Sequence, residues 1–134
     1  MPEDQSIDLA QLRRGYEAIG EQDWIAATEH FHPGIEWIDP PQVPGGGTHD
    51  GIVEIRDSWR IWGDSWEEWE VVPLEMTVRG DKVLVHTRMK GVGRGSGVEV
   101  ELEYWQVWTY RGGKVVRQQG FARLEQAEAA LGQT

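Results

Sequence analysis

The second half of this sequence encodes strands that are apolar on both faces. From Trp69 onward large side chains recur with a period of two. Leu102, Tyr104 and Trp108 fall on one side of a long extended run, and Trp105 and Val107 on the other. Neither face of such a sheet can be left to water. The rest of the chain, or another copy of it, must cover both.

The first half supplies the cover for one face. Leu9, Leu12, Tyr16 and Ile19 recur at helical steps and predict a helix that ends at Gly20. Asp23 caps a second helix in which Trp24, Ala27 and Phe31 share a side, stopped by Pro33-Gly34. A short strand, Ile35-Glu36-Trp37-Ile38, closes on Asp39-Pro40-Pro41. The stretch Pro44-Gly45-Gly46-Gly47-Thr48-His49-Asp50-Gly51 reads as a flexible loop, its glycines either a lid hinge or a plain connection. A third helix starts near Gly51 and carries a buried stripe of Ile52, Ile55, Trp59 and Trp62. Strands follow over residues 71–78, 82–92, 98–110 and 114–123, with a short helix over 125–131. Helices first and a meander after predict one α+β domain over residues 1–134. A second copy is the simplest cover for the other face, so a homodimer is expected.

Charge and composition narrow the partners. With 13 Lys and Arg against 23 Asp and Glu, the net charge of −10 argues against nucleic acid and against an anionic membrane surface. It leaves small neutral or cationic molecules. No cysteine is present, which excludes disulfides, thiolate nucleophiles and cysteine-based zinc sites. His30 and His32 sit two apart and diverge, so no metal is expected. The acidic start, Met1-Pro2-Glu3-Asp4-Gln5, lacks the pattern of a secretion signal, and no run is long enough to span a membrane; a cytoplasmic protein is expected.

The order of elements resembles the nuclear transport factor two-like superfamily, and within it the SnoaL-like branch, from about Leu9 to Phe121. The carriers are Arg14-Gly15-Tyr16, Gly20-Glu21-Gln22-Asp23-Trp24, Ile35-Glu36-Trp37-Ile38-Asp39-Pro40, Gly51-Ile52-Val53-Glu54-Ile55-Arg56, and the hairpin Val107-Trp108-Thr109-Tyr110-Arg111-Gly112-Gly113-Lys114-Val115-Val116. The resemblance implies a cone: a curved, mixed or antiparallel sheet with three N-terminal helices closing a pocket. Similarity to ketosteroid isomerase, a member of that superfamily, implies Asp39 as the acid–base residue and Tyr16 as a hydrogen-bond donor to a developing oxyanion. The position of that enzyme's protonated Asp falls on Trp105, counted back from Gly113-Lys114. An indole N–H donates one hydrogen bond but is no carboxylic acid.

Placing Trp105 in the cavity sends Glu103 and Val107 inward with it, and the matched register adds Leu84, His86 and Arg88, then Gln118 and Gly120. Glu103, Arg88 and Gln118 would form a polar floor for a ligand, and His86 could shuttle protons. Of the tryptophans near the third helix, Trp59 is assigned to the cavity wall. Plainer readings stand beside these. Asp before Pro is a common strand terminator, a Tyr on an apolar stripe is a core residue, and Arg88 with Glu103 is a cross-strand ion pair. Three functions remain open: a cofactor-independent isomerase, cyclase or dehydratase acting on a small hydrophobic molecule, a non-catalytic binding module, and a structural dimer.

Overall fold

Capping sets where the first helices begin. The Asp8 carboxylate accepts the Gln11 N–H at 3.1 Å and opens α1 (Leu9–Gly20). Asp23 does the same for Ala26 at 3.1 Å and opens α2 (Trp24–Ala27). A computed structural model of the chain describes residues 7–40 and 47–132. In it α2 is a single turn, shorter than the apolar spacing of Trp24, Ala27 and Phe31 predicts. Thr28 ends it, donating its hydroxyl to Trp24 O at 2.8 Å. Phe31 instead opens β1 (Phe31–Ile38), and Pro33-Gly34 lies inside that strand, where its pairing register shifts between Phe31 and Glu36.

A three-residue strand, β2 (Thr48–Asp50), pairs antiparallel with β1 in the stretch expected to be loop. Three residues show no period, so the sequence carries no signal for it. Gly45 and Gly46 of the hinge reading lie outside the described residues. Then come α3 (Ile52–Asp64), β3 (Trp66–Arg79), β4 (Lys82–Gly93), β5 (Glu99–Arg111), β6 (Lys114–Phe121) and α4 (Leu124–Leu131). The six strands form one sheet in the order β2-β1-β6-β5-β4-β3. Among the described residues only the β1–β6 pair is parallel, so the sheet is mixed. No described helix is long and apolar enough to cross a membrane.

The core lies on the inner face, between the sheet and α1. Tyr16, Ile35, Ile55, Val83, Val85 and Trp108 are buried there, and Phe31, Trp37 and Trp59 interlock with Trp108 at ring separations of 5.1 to 6.1 Å. Such aromatic pairs contribute about 0.5–1.5 kcal/mol each beyond their buried area.

The inner face corrects one expectation. On β4 the inward side chains are Val83, Val85, Thr87 and Met89, and on β5 they are Leu102, Tyr104, Gln106 and Trp108. His86, Arg88, Glu103 and Trp105 therefore point to the opposite, outer face. The alternation was right and the face was inverted. Alternation along β5 runs unbroken, so the error lies in the position counted from Gly113-Lys114; the bulge between Thr109 and Tyr110 inserts Val116 into β6 and sets Gln118 and Gly120 opposite the inward Trp108 and Gln106. The outer face is partly covered by the chain itself. α4 packs on β4, β5 and β6, and the outward Val107 is only 4% exposed.

Two glycines fix close approaches that shape the inner face. A Cβ at Gly91 would meet the Trp66 ring at 2.6 Å, and one at Gly120 would meet Pro40 Cδ at 2.6 Å. Gly120 thus seats the Asp39-Pro40 step against β6. At Gly15, on α1, a Cβ meets nothing within 4 Å. We expect Gly120→Ala and Gly91→Ala each to lose about 1–3 kcal/mol of stability through overpacking. Gly15→Ala should gain up to about 1 kcal/mol from helix propensity. Urea denaturation checks all three.

Candidate functional site

A cavity of about 760 Å³ opens between the inner face of the sheet and helices α1 and α3. That is within the usual range for small-molecule pockets, about 300–1,000 Å³. Its walls are mostly aromatic and aliphatic: Trp37, Trp59, Trp62, Trp66, Met89 and Leu102. At the mouth, Ile61, Val98 and Val100 are 70%, 58% and 38% exposed, an apolar lip on the way in. Polar groups are few. They gather where β1 ends, beside β2 and the first half of α3.

Asp39 is the first of them. It follows β1, its backbone N–H donates to Gly47 O at 3.0 Å, and Pro40 behind it packs on Gly120. Its carboxylate accepts the Trp37 indole N–H at 2.9 Å. Burial against apolar walls raises its pKa above the ordinary value of 3.8, and the Trp37 hydrogen bond and the nearby His49 only partly oppose this. A carboxyl so placed holds a proton more readily than a surface Asp.

Tyr16 also lines the cavity, but its hydroxyl is occupied. It donates to Gln106 Oε1 and accepts the Trp108 indole N–H at 3.0 Å. Thr87 donates to the same Gln106 oxygen at 3.1 Å. Gln106 Nε2 passes the chain to Gln118 Oε1 at 3.0 Å, and Gln118 Nε2 reaches Ile38 O at 3.5 Å. Burial raises the Tyr16 pKa well above 10.0. Gln118 is fully buried and stands one hydrogen bond behind the cavity wall. Trp59 lies on the wall, as assigned from the sequence.

The structure thus brings Asp39, Tyr16 and Trp59 to one cavity, with Gln118 behind it. His86, Arg88, Glu103 and Trp105 form a separate group outside. There the His86 ring stacks on Trp105 at 4.8 Å, and His86 Nε2 meets Glu103 Oε1 at 2.8 Å. Arg88 faces Glu103 across the strands, but the Glu103 carboxylate turns to His86 instead.

The sequence reading missed two groups. Tyr104 lines the cavity from β5, and its hydroxyl makes no hydrogen bond to another described residue. Burial, and then the charge of Asp39, raise its pKa. Correct assignment of the β5 face would have found it. His49, Ser58 and Glu54 line the cavity from β2 and α3. Ser58 and Glu54 sit four apart on a helix and so share a face, which was a usable signal.

A family model for the SnoaL-like domain matches residues 12–118. No curated protein matches the sequence. Among solved structures, an NTF2-like protein from Burkholderia thailandensis is 24% identical with a TM-score of 0.77, over 99% of this chain and 100% of that one. TerC, co-crystallised with polyporic acid, is 20% identical with a TM-score of 0.75, over 93% of this chain and 98% of that one. A protein with a ketosteroid isomerase-like fold from Catenulispora acidiphila, in complex with trimethylamine, is 17% identical with a TM-score of 0.72, over 100% of this chain and 95% of that one. At these identities the likeness is one of fold.

The site's polar groups have measurable consequences for stability. Tyr16→Phe leaves the Trp108 N–H without its acceptor and Gln106 Oε1 with Thr87 as its remaining donor, and should lose about 1–3 kcal/mol in chemical denaturation. For Asp39 the sign runs the other way. Its folded pKa lies above its unfolded one, so the folded state binds the proton more tightly and stability falls as pH rises from 3.8 toward the raised value. Asp39→Asn removes that penalty. The variant should melt higher than wild type at neutral pH, with the difference closing in acid, as read by thermal denaturation across pH.

Proposed function

The chain belongs to the SnoaL-like domain family, and on that premise we propose that its cavity takes a small, mostly apolar carbonyl compound and that Asp39 moves a proton beside the carbonyl. The carrying observation is a largely buried carboxyl with a raised pKa in a mostly apolar cavity. Burial makes such a group a better proton acceptor than a surface Asp, and able to return the proton to the substrate. The Trp37 indole N–H holds one carboxylate oxygen and leaves the other for the substrate. Tyr104 donates its free hydroxyl to the substrate oxygen as negative charge develops there.

The Tyr16 hydroxyl is a poor candidate for that donation, since its proton already goes to Gln106. Its part is to position the wall around Gln106, with Gln118 fixing the far side of that amide. Trp59 supplies the stacking surface. This chemistry needs no cofactor. The polyporic acid and trimethylamine held by structural neighbours support a small-molecule ligand here.

The outer group serves another purpose in this reading. Trp105, His86, Arg88 and Glu103 form a half-exposed surface beyond the reach of the cavity, and a second copy of the chain packs there to make a homodimer. The cytoplasm, where a cysteine-free chain has no disulfide to lose, is its proposed location.

In deuterium oxide, loss of the α-proton signals of benzylacetone should be catalysed by wild type. It should slow about 100-fold or more in Asp39→Asn, and by a similar factor in Tyr104→Phe. Both variants should still bind the ketone, as read by tryptophan fluorescence. Unchanged exchange in Asp39→Asn would assign the base to another residue, and no catalysed exchange in wild type would leave a binding module in place of an enzyme. For the dimer, light scattering should give twice the chain mass for wild type and the chain mass for Trp105→Glu.

A further inference from the structure

Enolisation uses one base and one oxygen-side donor, and Asp39 with Tyr104 supplies both. The cavity holds a further proton-bearing cluster that this leaves unused. His49 stands opposite Trp37 in the β1–β2 register, which places it beside the strand end that carries Asp39. Its side chain is only 18% exposed. On one side its Nε2 lies 3.2 Å from Ser58 Oγ, and on the other its Nδ1 lies 3.8 Å from Glu54 Oε1. The Asp50 backbone N–H donates to the same Glu54 oxygen at 3.1 Å and so fixes the carboxylate. Glu54 and Ser58 project from adjacent turns of α3, and all three residues line the cavity.

This is an acid with a relay. The Glu54 carboxylate lies on the Nδ1 side of the ring, beyond hydrogen-bond distance, and Nε2 faces Ser58 Oγ. A protonated His49 donates from Nε2 to Ser58 Oγ, and the serine hydroxyl donates into the cavity. The Asp39 carboxylate takes protons at carbon, and the His49–Ser58 couple delivers them to oxygen. Simple enolisation does not require such a couple. Loss of a hydroxyl group does.

We propose that His49 and Ser58 protonate a leaving hydroxyl while Asp39 removes the neighbouring C–H proton, so that the substrate is a β-hydroxy ketone and the reaction its dehydration. This rests on the reading of Asp39 as the carbon-side base. The steps balance. The α C–H bond breaks and its electrons pass, through the enolate that Tyr104 stabilises, into a new C=C bond. The β C–O bond breaks, and the oxygen leaves as water with a proton that originated on His49. Asp39 ends protonated and His49 neutral, and a proton moving from one to the other resets the site. Nothing is oxidised or reduced, and no co-reactant is consumed.

Two probes separate the inference from its premise. Benzylacetone can exchange its α-protons but has no hydroxyl to lose. The aldol adduct of acetone and benzaldehyde can do both, and its elimination is followed by the ultraviolet absorbance of the conjugated ketone. We expect His49→Gln and Ser58→Ala to slow loss of water from the adduct about 100-fold more than they slow exchange of benzylacetone, with His49→Gln moving exchange modestly because His49 acts on the Asp39 carboxyl. Retained exchange also shows that each variant is folded. Wild type that exchanges without eliminating, or elimination that both variants leave intact, overturns the inference while the Asp39 reading stands. Absence of Asp39-dependent exchange in wild type overturns both.

Discussion

The Gln106 side chain is where the fold and the cavity meet. Its oxygen takes hydrogen bonds from Tyr16 on α1 and Thr87 on β4, and its nitrogen gives one to Gln118 on β6, which in turn reaches the carbonyl of Ile38 at the end of β1. A buried amide left partly unsatisfied is costly, so each of these partners is held by all the others. The chain of contacts sets the depth of α1 over the sheet and the position of the strand end from which Asp39 projects. Apolar packing alone would fill this space. The amide relay decides which arrangement fills it.

Because that relay uses the polar capacity of Tyr16, the cavity is divided into two kinds of wall. The side near Gln106 is closed, with its donors and acceptors matched among themselves. The side formed by Asp39, Tyr104, His49 and Ser58 keeps groups able to face a ligand. A carboxyl in such surroundings is held against its preference for water, as its raised pKa reflects. The fold carries that local strain because the sheet, the interlocked indoles and the relay stabilise the rest.

Much of the architecture was legible in the residues. The stripe of α1, the start of α3 at Gly51 and the meander from β3 to β6 follow from period and turn chemistry, and the structure places them within a few residues. Asp39 and Tyr16 both line the cavity. The failures have local causes. Phe31 continued a helical spacing but was recruited by the parallel pairing with Val115. β2 is too short to show a period. Alternation gives which residues of β5 share a face but not which face is inward, and the position counted from Gly113-Lys114 chose the wrong one for Trp105, and with it Glu103, Arg88 and His86. The same choice concealed Tyr104, although its alternation with Leu102 and Trp108 had been recognised. His49 was hidden in a glycine-rich stretch, where only its pairing opposite Trp37 reveals its direction.

The parallel pairing of β1 with β6 has a consequence in time. β3 to β6 are joined by tight turns, and their contacts close over short stretches of chain. The contact between Ile38 and Gln119 closes about three-fifths of the 134 residues. Loop-closure entropy makes such a contact late, after the meander has formed a surface for β1 to join. On a ribosome, β6 emerges after β1 to β5. Asp39, made ahead of β3 to β6, therefore waits unprotected by its apolar walls until β6 arrives, and the cavity comes into being only then.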